Sequence, residues 1–318
     1  MRGWWQDLTD LVLPAECGGC GRPRTVLCPE CRATLRDSAP CRARPVPEPA
    51  GLPVVHAAAP YEDEVRAVLL AHKERGALAL AGPLGAALAG AVRAGLARRE
   101  PGAGFAGPGT GPGGCAGGAP AVPVTGRPGV LPGPVLLVPV PSARRAVRAR
   151  GHDPARRIAL AAAGELRRGG TAARVLGALR QRRRVADQSG LNSRERLDNL
   201  AGALEVVPGA AGLLAGAGRV VLVDDLMTTG ASLAEAARAV REASSARVAD
   251  ARAYVAGTRA RSEVPVLLER AVTADEEEDR RESRTGPTGA DLGAGVVPGE
   301  IGAAVVAASP DAFEINRN

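Results

Sequence analysis

Three stretches of the chain are apolar without polar alternation: residues 135–140 (VLLVPV), 220–223 (VVLV) and 303–308 (AAVVAA). A run that is apolar on both sides of the pleat belongs to a strand covered on both faces, as in the middle of a parallel sheet. Shorter runs at 175–179, 203–207 and 248–255 read as further strands. Between them the period turns helical. Residues 61–76 (YEDEVRAVLLAHKERG) put Val65, Val68, Leu69 and His72 on one face, with Lys73 in the last turn and Gly76 as the C-cap. His72 reads as a packed helix residue more readily than as a ligand. Residues 78–99 form a second, Ala-rich helix with Pro83 in its first turn. Asp153 as N-cap and Pro154 at the first helical position open a helix to about Arg168. Leu233, Ala236, Ala237 and Val240 recur at helical spacing, and Ser232 and Glu235 have the spacing of a capping box. Strand, loop and helix alternate, which predicts an α/β fold with a mostly parallel sheet flanked by helices.

The spacing of breakers divides the chain. Residues 1–14 carry Trp4, Trp5, Leu8, Leu11 and Val12 on one helical stripe, read as packed on the protein itself, with a partner or membrane surface as the alternative. With the cysteines that follow, this makes an N-terminal module over 1–45, ahead of a helical segment over 55–99. Residues 100–134 contain 12 Gly and 8 Pro among 35 residues and have no periodicity, which predicts a disordered linker. A core follows over 135–256. Residues 257–299, including DEEEDRRESR, predict a charged insertion, and 300–318 a last strand and tail.

Two C-x-x-C units, Cys17–Cys20 and Cys28–Cys31, are separated by seven residues. Paired units of this kind present four thiolates to one tetrahedral Zn²⁺, and a closed four-Cys site is structural. Gly18, Gly19 and Gly21 allow the first knuckle to turn sharply. A redox pair or disulfides is the competing reading. Cys41 and Cys115 have no partner at ligand spacing and read as free thiols.

The strongest chemical signal is residues 220–232, VVLVDDLMTTGAS. An apolar strand breaks into Asp224 and Asp225, then Thr228, Thr229, Gly230 and Ser232 at a helix N-terminus. Helix N-terminal N–H groups, hydroxyls and a glycine that admits close backbone approach make a phosphate cradle. Two carboxylates there would repel a phosphate unless they hold ribose hydroxyls or a hydrated Mg²⁺. The residues therefore ask for a sugar phosphate with free hydroxyls, and require both acids to face an open crevice. After the strand at 135–140, Ser142, Arg144, Arg145, Arg148 and Arg150 form a basic loop, which either meets a pyrophosphate at the same sheet edge or is a solvated turn. Residues 180–202, with Arg194, read as a basic arm that closes over an anion or as an exposed loop and helix.

Charge adds little. The net +7 arises from 41 basic residues, all Arg except Lys73, beside 41 Gly and 26 Pro, a bias that resembles GC-rich coding. Lys73 is thus singled out as the only lysine. With aromatics at 2%, a base-stacking platform for nucleic acid is excluded, although a phosphate-tracking surface is not. No run of eighteen apolar residues and no signal segment occurs, so the expectation is a soluble cytoplasmic protein with no stable membrane insertion.

The acid pair with Thr-Thr-Gly resembles the phosphoribosyl-pyrophosphate (PRPP) motif of type I phosphoribosyltransferases. Together with the helix near Leu8, the Cys17–Cys31 knuckle, Lys73 to Gly76, Pro139 to Pro141, Arg150 to Asp153 and Gln188 to Arg196, the chain resembles the ComF family of phosphoribosyltransferase-like proteins. After the Arg-Gly pair it has His152, Asp153 and Pro154 where that family commonly has Phe-Asn-Gln. The resemblance implies a type I phosphoribosyltransferase-like fold and displacement of pyrophosphate from ribose C1 by a nitrogen nucleophile that the sequence does not identify. It implies that Asp224 and Asp225 hold the ribose hydroxyls and Thr228, Thr229, Gly230 and Ser232 the 5′-phosphate. Ser142, Arg144 and Arg150 would receive pyrophosphate with Mg²⁺, and Arg194 and Lys73 would close the site. It also implies an alternative: a PRPP sensor or accessory of natural competence (DNA uptake) that docks a helicase or single-stranded DNA.

Overall fold

The computed structural model describes residues 16–97, 133–183, 193–215, 217–262 and 301–313. The expected helix at 1–14, most of the linker at 100–134, Cys115 and most of the insertion at 257–299 lie outside the described residues.

Eight strands and eight α-helices occur among them. In chain order they are α1 (Pro29–Asp37), β1 (Cys41–Ala43), β2 (Val55–Pro60), α2 (Asp63–Lys73) and α3 (Ala81–Ala97), the last entered by a 3₁₀ turn, Leu78–Leu80. There follow β3 (Val135–Pro139), α4 (Arg144–Arg150), α5 (Pro154–Arg168), β4 (Ala173–Val175), β5 (Leu179–Gln181) and α6 (Ser193–Leu200). The chain continues with β6 (Leu204–Val206), α7 (Ala210–Ala215), β7 (Arg219–Met227), α8 (Ala231–Ser262), β8 (Ile301–Ala308) and a 3₁₀ turn, Pro310–Phe313. The six-stranded sheet runs β1-β2-β8-β7-β3-β4, parallel except for the β1–β2 pair, while β5 and β6 form a separate antiparallel ribbon. The expected α/β architecture with a mostly parallel, helix-flanked sheet is present.

Alternation along the strands builds two cores. Leu137, Val221, Val223 and Ala304 face α1, α2, α3 and α5 on one side of the sheet. Leu136, Val138, Val220, Leu222 and Val305 face α7, α8 and the β5–β6 ribbon on the other. Val220, Leu222, Val223 and Val138 are fully buried, which explains the unbroken apolar runs. The window Leu78–Ala97 is long and apolar enough to cross a membrane, but half of it is buried inside the fold. A Cβ at Gly85 would lie 2.4 Å from Ala161 Cβ and 2.8 Å from Ala162 N, so α3 and α5 touch nearly backbone to backbone. That is the packing of a core helix.

Several local expectations are corrected. Asp224 and Asp225 lie within β7, because β8 continues to pair with it as far as Met227–Ala308. The basic stretch after β3 is helical: it lacks Gly and Pro until Gly151, which caps α4 at φ +75° and donates to Val147 O. Residues 248–255 continue α8, since no breaker interrupts the Ala-rich run before them. The run at 175–179 splits between β4 and β5. The C-cap of α2 is Glu74, with Gly76 at φ +69° beyond it. Glu235 forms no capping box; its carboxylate accepts from Leu204 N and pairs with Arg238, tying the ribbon to α8. Strand β2 was not anticipated, being Ala-rich, yet its first five residues are buried between β1 and β8.

Candidate functional site

The four cysteines converge. The Sγ atoms of Cys17, Cys20, Cys28 and Cys31 all lie within 4.8 Å of one another, with Cys20 and Cys28 at 3.7 Å. Tetrahedral Zn–S bonds of ~2.3 Å place sulfurs ~3.8 Å apart, so the donor set fits a structural Zn²⁺. Local geometry accounts for the cluster. Cys17 N donates to Arg22 O and Gly21, at φ +76°, donates to Cys17 O, which closes the first knuckle. Cys28 is the N-cap of α1, its sulfur accepting from Cys31 N. A Cβ at Gly19 would lie 2.7 Å from Cys31 Sγ, so the first knuckle leaves room for nothing but glycine there. Burial pushes Cys17 up, but the N–H groups of Cys28, Cys20 and Gly19 outweigh it and bring the thiol down to about 6. Burial and the neighbouring thiols push Cys31 up, the mutual repulsion that a bound dication removes. The knuckle is part of the main core: Cys17, Leu27, Cys28, Cys31 and Leu35 pack with α2 and α3. Cys41 is disulfide-bonded rather than a free thiol.

The second cluster lies at the carboxyl edge of the sheet. The chain leaves β3 for β4 on one side and later returns to β7 on the other, so the strand order reverses between β3 and β7. Crevices beyond such a reversal are where open α/β sheets take ligands. Pro139 pairs with Val223, and Val140 N donates to Val223 O, which brings Ser142 and the acids to one edge. Here the ladder between β7 and β8 skips Val306, and the Asp225 N–H is taken instead by Asp224 Oδ1 at 2.9 Å.

Lys73, at the end of α2, places its Nζ 2.8 Å from Asp225 Oδ2. The Asp225 side chain is only 8% exposed and that of Lys73 34%. Burial pulls the Lys73 ammonium down, but the Asp225 carboxylate outweighs it and holds it above its ordinary value. Asp224 is half-buried, and burial, then the charge of Asp225, raise it well above the usual carboxylate range. The requirement that both acids face open space is therefore not met by Asp225, which Lys73 covers, and Asp224 keeps only partial exposure. The physical reason is long-range: the neutralising cation comes from a helix about 150 residues earlier, and no local spacing announces it. Two cavities in the fold, one under His56 and Gly95 and one beside Arg32 and Arg36, are lined by neither acid.

The remaining predicted residues divide. Arg150, with a side chain 15% exposed, reaches Glu74 at 2.9 Å and so joins the end of α2. Ser142 is half-buried and its hydroxyl donates to Asp153 Oδ1 at 3.5 Å. Thr228 is exposed, Thr229 and Ser232 are half-buried, and Gly230 is buried at φ +74°, where a Cβ would lie 3.1 Å from Leu52 Cδ2 and 3.3 Å from Pro45 Cγ. They follow β7 into the N-terminus of α8, as expected. Arg144 and Arg194 are exposed, and among the described residues no hydrogen bond or ion pair joins either to the acids. Helix α6, which carries Arg194, packs Leu197 and Leu200 against Ala231 at the start of α8. Glu74 and His152 were not anticipated; the Arg-Gly-His-Asp-Pro stretch was the available signal for His152. Neither a scan against protein-family models nor a search of curated proteins finds a match to this chain.

Proposed function

We propose that the protein binds PRPP at the edge formed by Asp224, Asp225 and the Thr228–Ser232 turn, as a type I phosphoribosyltransferase-like protein of ComF type. The observation that carries this reading is the order of groups at the sheet reversal: an acid pair in the last half of the central parallel strand, then hydroxyls and Gly230 at a helix N-terminus, with Lys73 2.8 Å from Asp225. Asp224, half-buried, is the acid a ribose hydroxyl reaches first. The α8 N-terminus and the Thr228, Thr229 and Ser232 hydroxyls receive the 5′-phosphate. Ser142 and Arg150 approach the pyrophosphate, with which Mg²⁺ arrives. In the reaction the C1–O bond breaks with its electron pair leaving on pyrophosphate. A C1–N bond forms to a nitrogen nucleophile, whose proton passes to solvent. Charge developing on the ribose is balanced by the two carboxylates. The four-Cys knuckle holds Zn²⁺ in a structural role.

The covering of Asp225 by Lys73 favours a second reading, in which PRPP is sensed without turnover and the protein serves DNA uptake beside a helicase or single-stranded DNA. Isothermal titration with PRPP and Mg²⁺, followed by a pyrophosphate-release screen across bases and amines, separates the two. Saturable heat is expected. Its absence would remove both readings, and binding without release for any acceptor would leave the sensor.

A further inference from the structure

One buried histidine beside this edge has no part in the proposed reaction. His152 lies in the turn between α4 and α5 and is 9% exposed. Its Nδ1 faces the carbonyl oxygen of Arg150 at 3.1 Å, and its Nε2 faces the carbonyl oxygen of His72 at 3.2 Å. Carbonyl oxygens only accept, and a neutral imidazole has a single N–H. Either neutral tautomer therefore sets one ring lone pair against a carbonyl lone pair. Only the imidazolium donates to both, in charge-assisted bonds.

The neighbouring imidazole is a poor carrier of charge. It is that of His72, with ring centroids 5.6 Å apart. His72 is fully buried, and burial outweighs the Ala77 carbonyl and, with smaller contributions from His152 and Arg157 against Asp225, holds it below its ordinary value. The other charged groups on the packed elements are Lys73 and Glu74 of α2, Arg150 and Asp153 of the turn, Arg156 and Arg157 of α5, and Asp224 and Asp225 of β7. Glu74 is taken by Arg150 and Asp225 by Lys73, while Asp153 caps α5.

The two carbonyls that His152 joins belong to Arg150 and to the residue immediately before Lys73. We propose that His152, as a doubly protonated imidazolium, is the positioning residue that clasps the Lys73 and Arg150 backbones together at the sheet edge. The clasp stands on the hydrogen-bond geometry; its consequence for ligand rests on the PRPP reading. Deprotonation leaves one buried carbonyl without a donor and releases the end of α2, so Lys73 beside Asp225 and Arg150 on the pyrophosphate side lose their mutual alignment.

Two measurements decide it. In the full chain labelled with ¹⁵N-histidine, the ring assigned to His152 should show two hydrogen-bonded N–H groups at about pH 6. A single N–H there overturns the clasp, with no variant needed. In PRPP titrations, His152→Gln, which cannot donate in both directions, should bind roughly two- to thirtyfold more weakly than the natural chain at about pH 6. The ratio of the two affinities should fall toward one as the pH is raised, which cancels the ionisation of PRPP itself. A ratio constant with pH overturns the proposal. If the natural chain binds no PRPP, the functional reading fails, and the nitrogen spectrum alone decides the clasp.

Discussion

The two clusters of this molecule solve opposite charge problems. At the knuckle, four sulfurs lie within 4.8 Å of one another, and the nearby Arg22 guanidinium is held by Glu30 at 2.8 Å. At the sheet edge, two carboxylates on consecutive residues have Lys73, brought from another helix to 2.8 Å. Four thiolates at the knuckle would need an imported countercharge, and the cysteines come from 15 consecutive residues. The edge supplies its own, and draws on β7, α2 and the α4–α5 turn. The two clusters thus call on different sources of stability: a donor set that fits a metal in one, and tertiary packing alone in the other.

Removing the metal should therefore produce the largest effect. Zn²⁺ binding contributes about 10 kcal/mol or more in small zinc modules. Here Cys17, Cys28 and Cys31 share a core with α2 and α3, so its loss reaches beyond the knuckle. Purified protein should carry about one equivalent of zinc by elemental analysis. Cys28→Ser, or a strong chelator, should lower the melting temperature by roughly 10 °C or more in calorimetry. Zinc-poor protein whose melting ignores chelator would place the knuckle's stability in packing instead and erase the contrast.

Breaking the edge from its cationic side should cost less. Lys73→Met leaves a carboxylate of 8% exposure without its partner. Orphaning one member of a buried pair costs roughly 3–5 kcal/mol, and the partial exposure of Lys73 argues for about 3. Removing the stranded charge as well, in Lys73→Met with Asp225→Asn, should restore most of that in denaturant titrations. Additive losses in the double variant would mean that the pair does not act as a unit.

The same contrast explains what could be read from the sequence. The knuckle was legible because its ligands are local and their spacing is itself the geometry. The buried strands β3, β7 and β8 were legible because a strand covered on both faces has no alternation to lose. Strand β2 was not, because Ala57, Ala58 and Ala59 carry no strand preference and are placed by their neighbours. At the site, the acids and the Thr-Thr-Gly turn could be found, and Lys73 was marked by being the only lysine. Its bond to Asp225, the bridge of His152 and the pairing of Glu74 with Arg150 join residues about 75 to 150 positions apart, and no periodicity encodes them. The helical form of residues 144–150 was obscured by its charge; seven residues with four arginines and a glycine stop look like a loop until the cap is seen.

The smallest expected effect tests whether Asp224 is left uncompensated. Burial first, and the Asp225 charge second, raise Asp224 well above the ordinary carboxylate value. The folded protein thus holds this proton more tightly than the unfolded chain, where it is lost near ~3.9. A raised folded value contributes stability that is fully present below the unfolded value and is lost as the pH rises through the folded one. At neutral pH the group is therefore a burden on the fold that its neighbour, neutralised by Lys73, is not. Asp224→Asn should raise the melting temperature by a few °C at about pH 7 and leave it unchanged at about pH 3.5. Affinity for PRPP should fall in the same variant, as expected where a destabilising group is kept for binding. Thermal unfolding of both proteins across this range checks the sign. Parallel profiles would show that Asp224 is as well compensated as Asp225, and the asymmetry within the acid pair would be gone.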